Sequence, residues 1–212
     1  MLVHKTKIAK DATAFALQML RDQLGIHVYP IHRLDRGTSG VLLFAKSSEA
    51  ASLLSEQMRA HQFQKEYLVV VRGHCTEPLE LNNPLKREKD GTYQKASTSI
   101  VPLQKTELDI AVGKYETSRY SLLRAVPKTG RTHQIRRHLA GANHPVIGDH
   151  PHGDHRHNKS FIRLFGYKQL LLHAVKLQFR QPISHEIVLV SASVDHYWEE
   201  VFQSLTFSLP ED

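Results

Sequence analysis

The residues best suited to chemistry lie together in one short segment. Residues 32–40 carry four charged or titratable side chains, two hydroxyl groups and two glycines within nine positions. Asp35 is the only carboxylate among them, and Arg33 and Arg36 stand on either side of it. Because a nearby guanidinium group favours the ionised form of a carboxyl group, the segment is suited to present a permanently charged aspartate. On composition alone, an ordinary Asp–Arg turn with a structural ion pair is the commoner explanation.

Two apolar runs predict strands that would hold such a loop in place. Residues 41–45 follow the loop without a polar interruption, which predicts a strand buried on both faces. Residues 68–71 predict a second buried strand, which Lys65-Glu66-Tyr67 opens and Gly73 ends. A tyrosine at the start of a strand is compatible either with core packing or with a place in a site.

Apolar residues at helical spacing predict two helices on either side of the loop. The first has Asp11 as its N-cap and ends at Gly25. The second is capped by Ser47 or Ser48, with Glu49 in its first turn. The predicted buried stripe of the second helix is Ala50, Leu53, Leu54 and Met58.

A third helix is predicted near residues 127–138, the most basic stretch of the chain. Thr129 and Thr132 are candidate caps, and Ile135, Leu139 and Ala142 would lie above one another on one face. Five basic or histidine side chains between residues 131 and 138 would cover the other faces. Their charges have one sign, with no acidic partners at helical spacing, which favours phosphate binding over a simple solvated face.

The rest of the pattern predicts an α+β fold with a large, mostly antiparallel sheet and helices packed on it. Residues 96–101 and 118–126 should be antiparallel neighbours, and the polar residues 82–94 should form a surface loop. Residues 187–190 predict a further strand. Strand alternation in residues 170–179 would place Leu171, His173, Val175, Leu177 and Phe179 on one face. A closing helix would bury Tyr197, Trp198, Val201, Phe202 and Leu205.

Composition limits the class of protein. The 212 residues carry a net charge of +7, which favours a polyanionic partner such as RNA or DNA. A single cysteine, Cys75, excludes an internal disulfide and fits a reducing compartment. No apolar run approaches the ~18 residues of a membrane span, and no signal sequence is evident, so a cytoplasmic protein without membrane contact is expected.

One segment suggests a competing chemistry. His150-Pro151-His152-Gly153-Asp154-His155 has the His-x-His-x-Asp-His spacing of dizinc hydrolases, and imidazole and carboxylate groups at this density can bind zinc. Against this hypothesis, the segment follows no long buried strand and no Gly-Gly comes after the last histidine. A metal-dependent hydrolase is therefore the remote alternative.

Three motifs together resemble the RluA-type family of RNA pseudouridine synthases. They are His-Arg-Leu-Asp-x-x-Thr-Ser-Gly at residues 32–40, Lys-x-Tyr at residues 65–67, and Thr-Gly-Arg-Thr-His-Gln-Ile-Arg at residues 129–136. The resemblance implies that Asp35 is the catalytic aspartate, that Tyr67 lies against the target base, and that Arg136 is the partner of Asp35. It also implies an isomerase: the N-glycosidic bond of a uridine breaks, the base turns, and a carbon–carbon bond forms. This reaction has no redox step, so no cofactor and no metal are expected.

The same resemblance predicts how RNA is held. The base must leave its stack to be reached, and Arg33 is the candidate to fill the vacated space. The predicted RNA-binding residues are His32, Arg33, Arg36, Lys128, Arg131, His133 and Arg137.

Two further segments narrow the expected substrate. Residues 144–158 and Leu172-His173-Ala174 most resemble the branch of the family that modifies uridine 65 of transfer RNA (tRNA). A ribosomal RNA substrate is the alternative within the family, and an RNA-binding module without catalysis is a more remote one. Residues 1–212 are expected to form one catalytic domain and to act as a monomer. Family members carry roughly twenty more N-terminal residues, so this domain is expected to lack an N-terminal strand.

Overall fold

The computed structural model describes residues 15–209, which form five helices and eleven strands. The helices are α1 (Ala16–Leu24), α2 (Ser48–Arg59), α3 (Gln134–Gly141), α4 (His155–Phe165) and α5 (His196–Ser204). The first strands are β1 (Tyr29–Pro30), β2 (Ser39–Gly40), β3 (Phe44–Ala45), β4 (Gln64–Arg72), β5 (Leu79–Leu81) and β6 (Leu85–Lys86). The others are β7 (Tyr93–Gln94), β8 (Thr98–Leu108), β9 (Ser118–Pro127), β10 (Leu172–Arg180) and β11 (Ile187–Ser191). The N-cap expected at Asp11 and the expected lack of an N-terminal strand concern positions outside the described residues.

The main sheet confirms the predicted α+β class. Its strand order is β11-β10-β4-β9-β8-β5, every neighbouring pair on this path is antiparallel, and the short β2 pairs with β10 in parallel. The predicted antiparallel pair is β8 with β9, although β8 continues to Leu108, well past the predicted end. The predicted surface loop contains a small hairpin of β6 and β7, in which Leu85 is buried.

Both faces of the sheet are covered, because β4 is apolar on both. Leu68 and Val70 face a cluster that includes Trp198 and Phe202 of α5 and Phe161 of α4. Val69 and Val71 face the opposite cluster, which contains Ile135 and Leu139 of α3. A central strand buried on both sides fixes α3 directly against the face from which Tyr67 also projects.

The alternation predicted for residues 170–179 is wrong beyond Val175, because β10 contains a bulge. The pairing with β4 shifts register between Ala174 and Lys176. An extra residue in one strand moves every later side chain to the other face of the sheet. Leu177 and Phe179 therefore pack in a third cluster, with Leu54 of α2, instead of joining Leu171 and Val175.

The single buried strand predicted for residues 41–45 is also wrong. Ser39 and Gly40 pair with β10, whereas Phe44 and Ala45 pair with β1. The chain changes partners between them: Val41 N donates to Ala174 O at 2.9 Å, and Leu43 O accepts from Ile31 N at 3.0 Å. This run is half-buried until Ala45 because it crosses from one small pairing to another.

Helix ends agree with the sequence in two of three cases. Gly25 ends α1 in the left-handed conformation, and Ser47 Oγ caps α2 by accepting from Ala50 N at 3.2 Å. Leu53 does not belong to the buried stripe of α2, since it is 39% exposed. The Thr caps predicted for α3 are wrong: His133 occupies the N-cap position with φ 53° and gives no side-chain cap.

Within residues 15–209, no helix combines the length and hydropathy that crossing a membrane requires.

Candidate active site

The loop that carries Asp35 is held on the sheet by β10. Gly40 has φ 104°, and a Cβ at this position would lie 2.2 Å from Ala174 O, so only glycine allows the observed approach. Ser39 Oγ lies 2.8 Å from His173 Nδ1. His173 Nε2 lies 3.1 Å from Ala192 O, and a carbonyl can only accept, so in the neutral ring Nε2 carries the proton and Nδ1 accepts from the serine hydroxyl. These contacts fix the end of the loop, and Thr38 N donates to Asp35 O at 3.0 Å to close its turn.

Arg136 of α3 lies between two carboxylates. Its Nη1 is 3.3 Å from Asp35 Oδ2. Its Nε and Nη2 donate to the two oxygens of Asp149 at 2.8 and 2.7 Å. The side chains of Arg136 and Asp149 are 5% and 0% exposed, whereas that of Asp35 is 25% exposed. The buried bidentate pair therefore orients the guanidinium, and the remaining nitrogen reaches a carboxylate that stays open to solvent.

Electrostatics keep this group of charges ionised. Burial opposes the charge of Asp149, but hydrogen bonds from Arg136 and from His152 N, together with the guanidinium charge, hold the pKa of Asp149 below its usual range. Burial also opposes the charge of Arg136, and the two aspartates outweigh it and raise the pKa of Arg136. The guanidinium is consequently a permanent positive charge beside Asp35.

Tyr67 lies on β4 opposite Ala174 and Ala125, on the face that α3 covers. Burial, and then the charge of Asp35, raise the pKa of Tyr67 to about 12. The phenol therefore keeps its proton at neutral pH. It can donate a hydrogen bond and offer its ring for stacking, but it is poorly suited to remove a proton.

The structure places the predicted RNA-binding residues of the loop in different environments. Arg33 and Arg36 are exposed. His32 is half-buried, and its Nε2 accepts from Leu43 N at 3.2 Å. Burial, and then the charge of Lys65, lower the pKa of His32 to about 4, so the ring is neutral at physiological pH. A neutral His32 offers RNA no positive charge.

The predicted RNA-binding residues near α3 also differ from one another. Lys128 is exposed and its Nζ lies 3.3 Å from Glu80 Oε2, whereas Arg131 donates from Nε to Lys95 O at 3.0 Å. His133 Nδ1 lies 2.9 Å from His152 Nε2, and Arg137 is half-buried.

The expectation that basic side chains cover the outer faces of α3 is wrong for two of them. Arg136 and His138 are each 4% exposed, and His138 bonds to Thr98 Oγ1 and Asn83 O instead of facing solvent. Both side chains lie inside the protein because the sheet and the neighbouring loops provide their hydrogen-bond partners.

The segment with zinc-ligand spacing is used differently. Asp154 caps α4 by accepting from Arg156 N and His157 N, and its other oxygen binds Arg72 at 2.6 Å. His152 faces His133. Across residues 15–209, no three His, Cys, Asp or Glu side chains converge in a way that could hold a metal ion.

Two residues of this region were not identified from the sequence as site residues. Asp149 carries the bidentate contact to Arg136, and Lys65 lies two positions before Tyr67 on the same face of β4. The sequence held a signal for Asp149, because this acid directly follows the buried pair Val146–Ile147 and a glycine. A carboxylate at such a place needs a partner, since an unpaired buried charge is costly. The signal for Lys65 was its place in the Lys-x-Tyr motif.

The chain is similar to known proteins of one family. The family model described as RNA pseudouridylate synthase matches residues 1–141. A tRNA pseudouridine synthase C from Vibrio parahaemolyticus is 45% identical over 95% of this chain and 86% of its own length. One from Haemophilus ducreyi is also 45% identical, over 95% of this chain and 87% of its own.

The fold has solved counterparts. The human RNA pseudouridylate synthase domain containing 1 superposes with a TM-score of 0.70 at 22% identity, covering 100% of this chain and 96% of that one. The human RNA pseudouridylate synthase domain containing 4 gives 0.68 at 20% identity, covering 100% and 88%. At these identities the likeness concerns the fold alone.

Proposed function

The chain belongs to the RNA pseudouridylate synthase family, and from that premise we propose that it isomerises a uridine of tRNA to pseudouridine, with Asp35 as the catalytic carboxylate. The observation that carries the proposal is the contact between the solvent-accessible Asp35 and the buried, permanently charged Arg136. A reactive carboxylate that must stay ionised needs such a partner, and it must also remain open to a substrate.

The isomerisation requires an ionised carboxylate beside the sugar and base of the target uridine. Such a group can attack the ring or the sugar as a nucleophile, or it can remove a proton from the sugar. Arg136 serves each of these roles, because it holds Asp35 in one position and favours its charged form. No step consumes or releases electrons, so the isomerisation itself calls for no redox cofactor.

Tyr67 is the residue proposed to hold the base. Its ring lies on the face of β4 shared with α3, and its hydroxyl keeps its proton. A uracil withdrawn from its stack can pack on this ring while the hydroxyl donates a hydrogen bond. Arg33, exposed in the same loop as Asp35, is proposed to fill the space that the base leaves in the RNA.

The tRNA substrate rests on the relatives. Those that match nearly the whole chain are named tRNA pseudouridine synthase C. Uridine 65 is the proposed target because residues 144–158 and 172–174 resemble the branch that modifies it. We propose a cytoplasmic location because tRNA is the proposed substrate. We propose one catalytic domain because all three apolar clusters pack on the same sheet. A monomeric state stays a prediction.

The test is the nearly isosteric variant Asp35→Asn. It should abolish pseudouridine formation in tRNA from cells lacking the gene, since the amide has the shape but not the charge of the carboxylate. Binding of that RNA and the unfolding midpoint should change little. Asp109→Asn, a matched change at an exposed aspartate, should retain full turnover. Turnover by Asp35→Asn close to that of the wild type would refute the assignment of Asp35.

The substrate is tested separately by mapping pseudouridine in total RNA from cells with and without the gene. We expect the loss of one tRNA position, uridine 65. Loss of a ribosomal position with every tRNA position retained would overturn the substrate and leave the role of Asp35 open to its own test.

A further inference from the structure

Lys65 occupies an unusual place beside the proposed active site. It belongs to β4, pairs with Leu177 across the sheet, and projects from the same face as Tyr67. The two residues are separated along the strand by roughly 7 Å, twice the rise of one residue. A Cβ placed on Gly130 would lie 3.8 Å from Lys65 Nζ, so the ammonium group lies against the loop that precedes α3.

The ammonium group of Lys65 has no counter-ion in the part of the chain that the structure describes. Neither a hydrogen bond nor an ion pair reaches Nζ from residues 15–209, in contrast with Lys128, which has Glu80. Burial lowers the pKa of Lys65. The nearby imidazole of His32 cannot serve as a counter-ion, because a histidine ring is either neutral or positively charged. A partly desolvated cation without a partner is costly, and this cost needs a reason.

We propose that Lys65 binds a backbone phosphate of the RNA at the target nucleotide, an inference that rests on the proposed function. Phosphates are the fixed negative charges of RNA, whereas the carbonyl groups of a uracil are neutral. A partly buried cation gains most from a full anion, because charges interact more strongly where water is excluded.

The position of Lys65 fits this role. The base is proposed to stack on Tyr67, and the phosphate of the same nucleotide must lie a short distance to one side of it. Lys65 offers a positive charge two residues before Tyr67 on the same face of β4, beside the loop that contains Lys128 and Gly130. Asp35 does not compete with a phosphate for Lys65, because the ion-pair partner of Asp35 is Arg136.

This inference predicts an unusual combination of stability and function. Lys65→Met removes a cation that has no partner within residues 15–209, so its unfolding midpoint should be equal to or higher than that of the wild type. A lysine with only a structural role would give the opposite result.

The experiment compares Lys65→Met, Lys65→Arg and a matched control, Lys105→Met. Lys105 is an exposed lysine on β8 of the same sheet. The probe is total tRNA from cells lacking the gene. Dissociation constants are measured at several KCl concentrations, and kcat and KM are measured in one buffer.

We expect Lys65→Met to bind about 10- to 100-fold more weakly, as for the loss of one charge-assisted contact. The slope of log K against log salt should fall by about 0.7 to 0.9, the value for one phosphate contact. KM should rise with little change in kcat, Lys65→Arg should recover most of the affinity, and Lys105→Met should behave as the wild type.

An unchanged salt slope in Lys65→Met would overturn the inference, as would a destabilised Lys65→Met that Lys65→Arg does not rescue. A fall in kcat with KM and slope unchanged would also overturn it, since that pattern indicates a role in the chemical step. The salt slope is a binding measurement and does not depend on turnover. A wild-type protein that binds this RNA but forms no pseudouridine would therefore refute the proposed function, and the slope would still decide the role of Lys65.

Discussion

At the scale of single residues, the contacts of Arg136 fit the proposal that Asp35 is the reactive carboxylate. A lone Arg–Asp pair in which Asp35 bound the guanidinium through both carboxylate oxygens would occupy the oxygens that the proposed chemistry needs. Here Asp149 takes Nε and Nη2, and only Nη1 reaches Asp35, at the longer distance of 3.3 Å. The buried aspartate thus holds the arginine, and the arginine leaves most of Asp35 free for the substrate.

The role of Asp149 leads to a prediction for Asp149→Asn. The variant keeps the size of the side chain but leaves the buried guanidinium with Asp35 as its remaining counter-charge. Breaking a buried ion pair on one side should cost about 3 kcal/mol of unfolding free energy. Misplacing Arg136 should lower kcat on the order of 100-fold. Urea unfolding and turnover on tRNA, both at a temperature where the variant is folded, measure the two effects.

The control for this prediction is another ion-paired aspartate. Asp154 binds Arg72 and caps α4, and asparagine caps a helix about as well as aspartate, so Asp154→Asn should lose only the ion pair, about 1 kcal/mol of stability, while kcat is retained. Equal kcat values for Asp149→Asn and the wild type would show that Arg136 does not need Asp149 to hold it beside Asp35.

At the scale of elements, the loop of Asp35 is positioned by β10 and not by a strand of its own. Ser39 and Gly40 pair with His173 and Ala174, immediately before the bulge in β10. Ala174 also lies opposite Tyr67 on β4. One short stretch of β10 therefore sets the distance between the loop of Asp35 and the ring proposed to hold the base.

This docking predicts a large cost for Gly40→Ala. Its Cβ would lie 2.2 Å from Ala174 O on a backbone with φ 104°, so both steric overlap and backbone strain oppose it. Together these effects should reduce the unfolding free energy by about 2 to 5 kcal/mol, and displacement of the loop should lower turnover. Urea unfolding and kcat measure the two consequences.

Gly166→Ala separates strain from overlap. Gly166 also has a positive φ, 74°, but a Cβ there would meet nothing within 4 Å. The strain alone should cost about 1 to 2 kcal/mol, with kcat unchanged. If the two variants lost equal stability and kept equal turnover, the close approach of Gly40 to β10 would have no functional consequence.

At the scale of the whole molecule, the net charge of +7 should dominate the encounter with RNA. Each phosphate that a basic side chain neutralises releases counter-ions, so affinity should fall steeply as salt rises. The structure separates basic residues that the sequence could not distinguish. Lys128 has a protein partner in Glu80, whereas Arg137 forms no ion pair within residues 15–209.

We therefore predict unequal effects for Arg137→Gln and Lys128→Gln. Arg137→Gln should reduce the slope of log K against log salt by about 0.7 to 0.9, and Lys128→Gln should reduce it less, because a phosphate must displace Glu80. Neither should change which uridine is modified. The slopes are measured on tRNA by titration at several KCl concentrations. Equal slopes for both variants and the wild type would exclude this part of the surface from the RNA contact.

Local pattern in the sequence was sufficient for much of this description. The apolar run after Lys65-Glu66-Tyr67 is β4, Ser47 caps α2, and Gly25 ends α1, because each feature depends on residues close to it in the chain. The pairing of Asp35 with Arg136 followed from motif resemblance and was not visible in spacing. The structure places these two residues, 101 positions apart, within contact.

Tertiary structure decided the features that depend on distant neighbours. The run at residues 41–45 has the apolar pattern of a strand, but the carbonyl of Ala174 and the pairing with β1 divide it. His138 has the charge pattern of a surface residue, but Thr98 and Asn83 bond to it in the interior. The bulge in β10 arises from its pairing with β4, and it reverses the faces of Leu177 and Phe179. The physical reason is the same in each case. The burial and partners of a side chain depend on the groups that the fold brings against it, whereas sequence periodicity reflects only its neighbours along the chain.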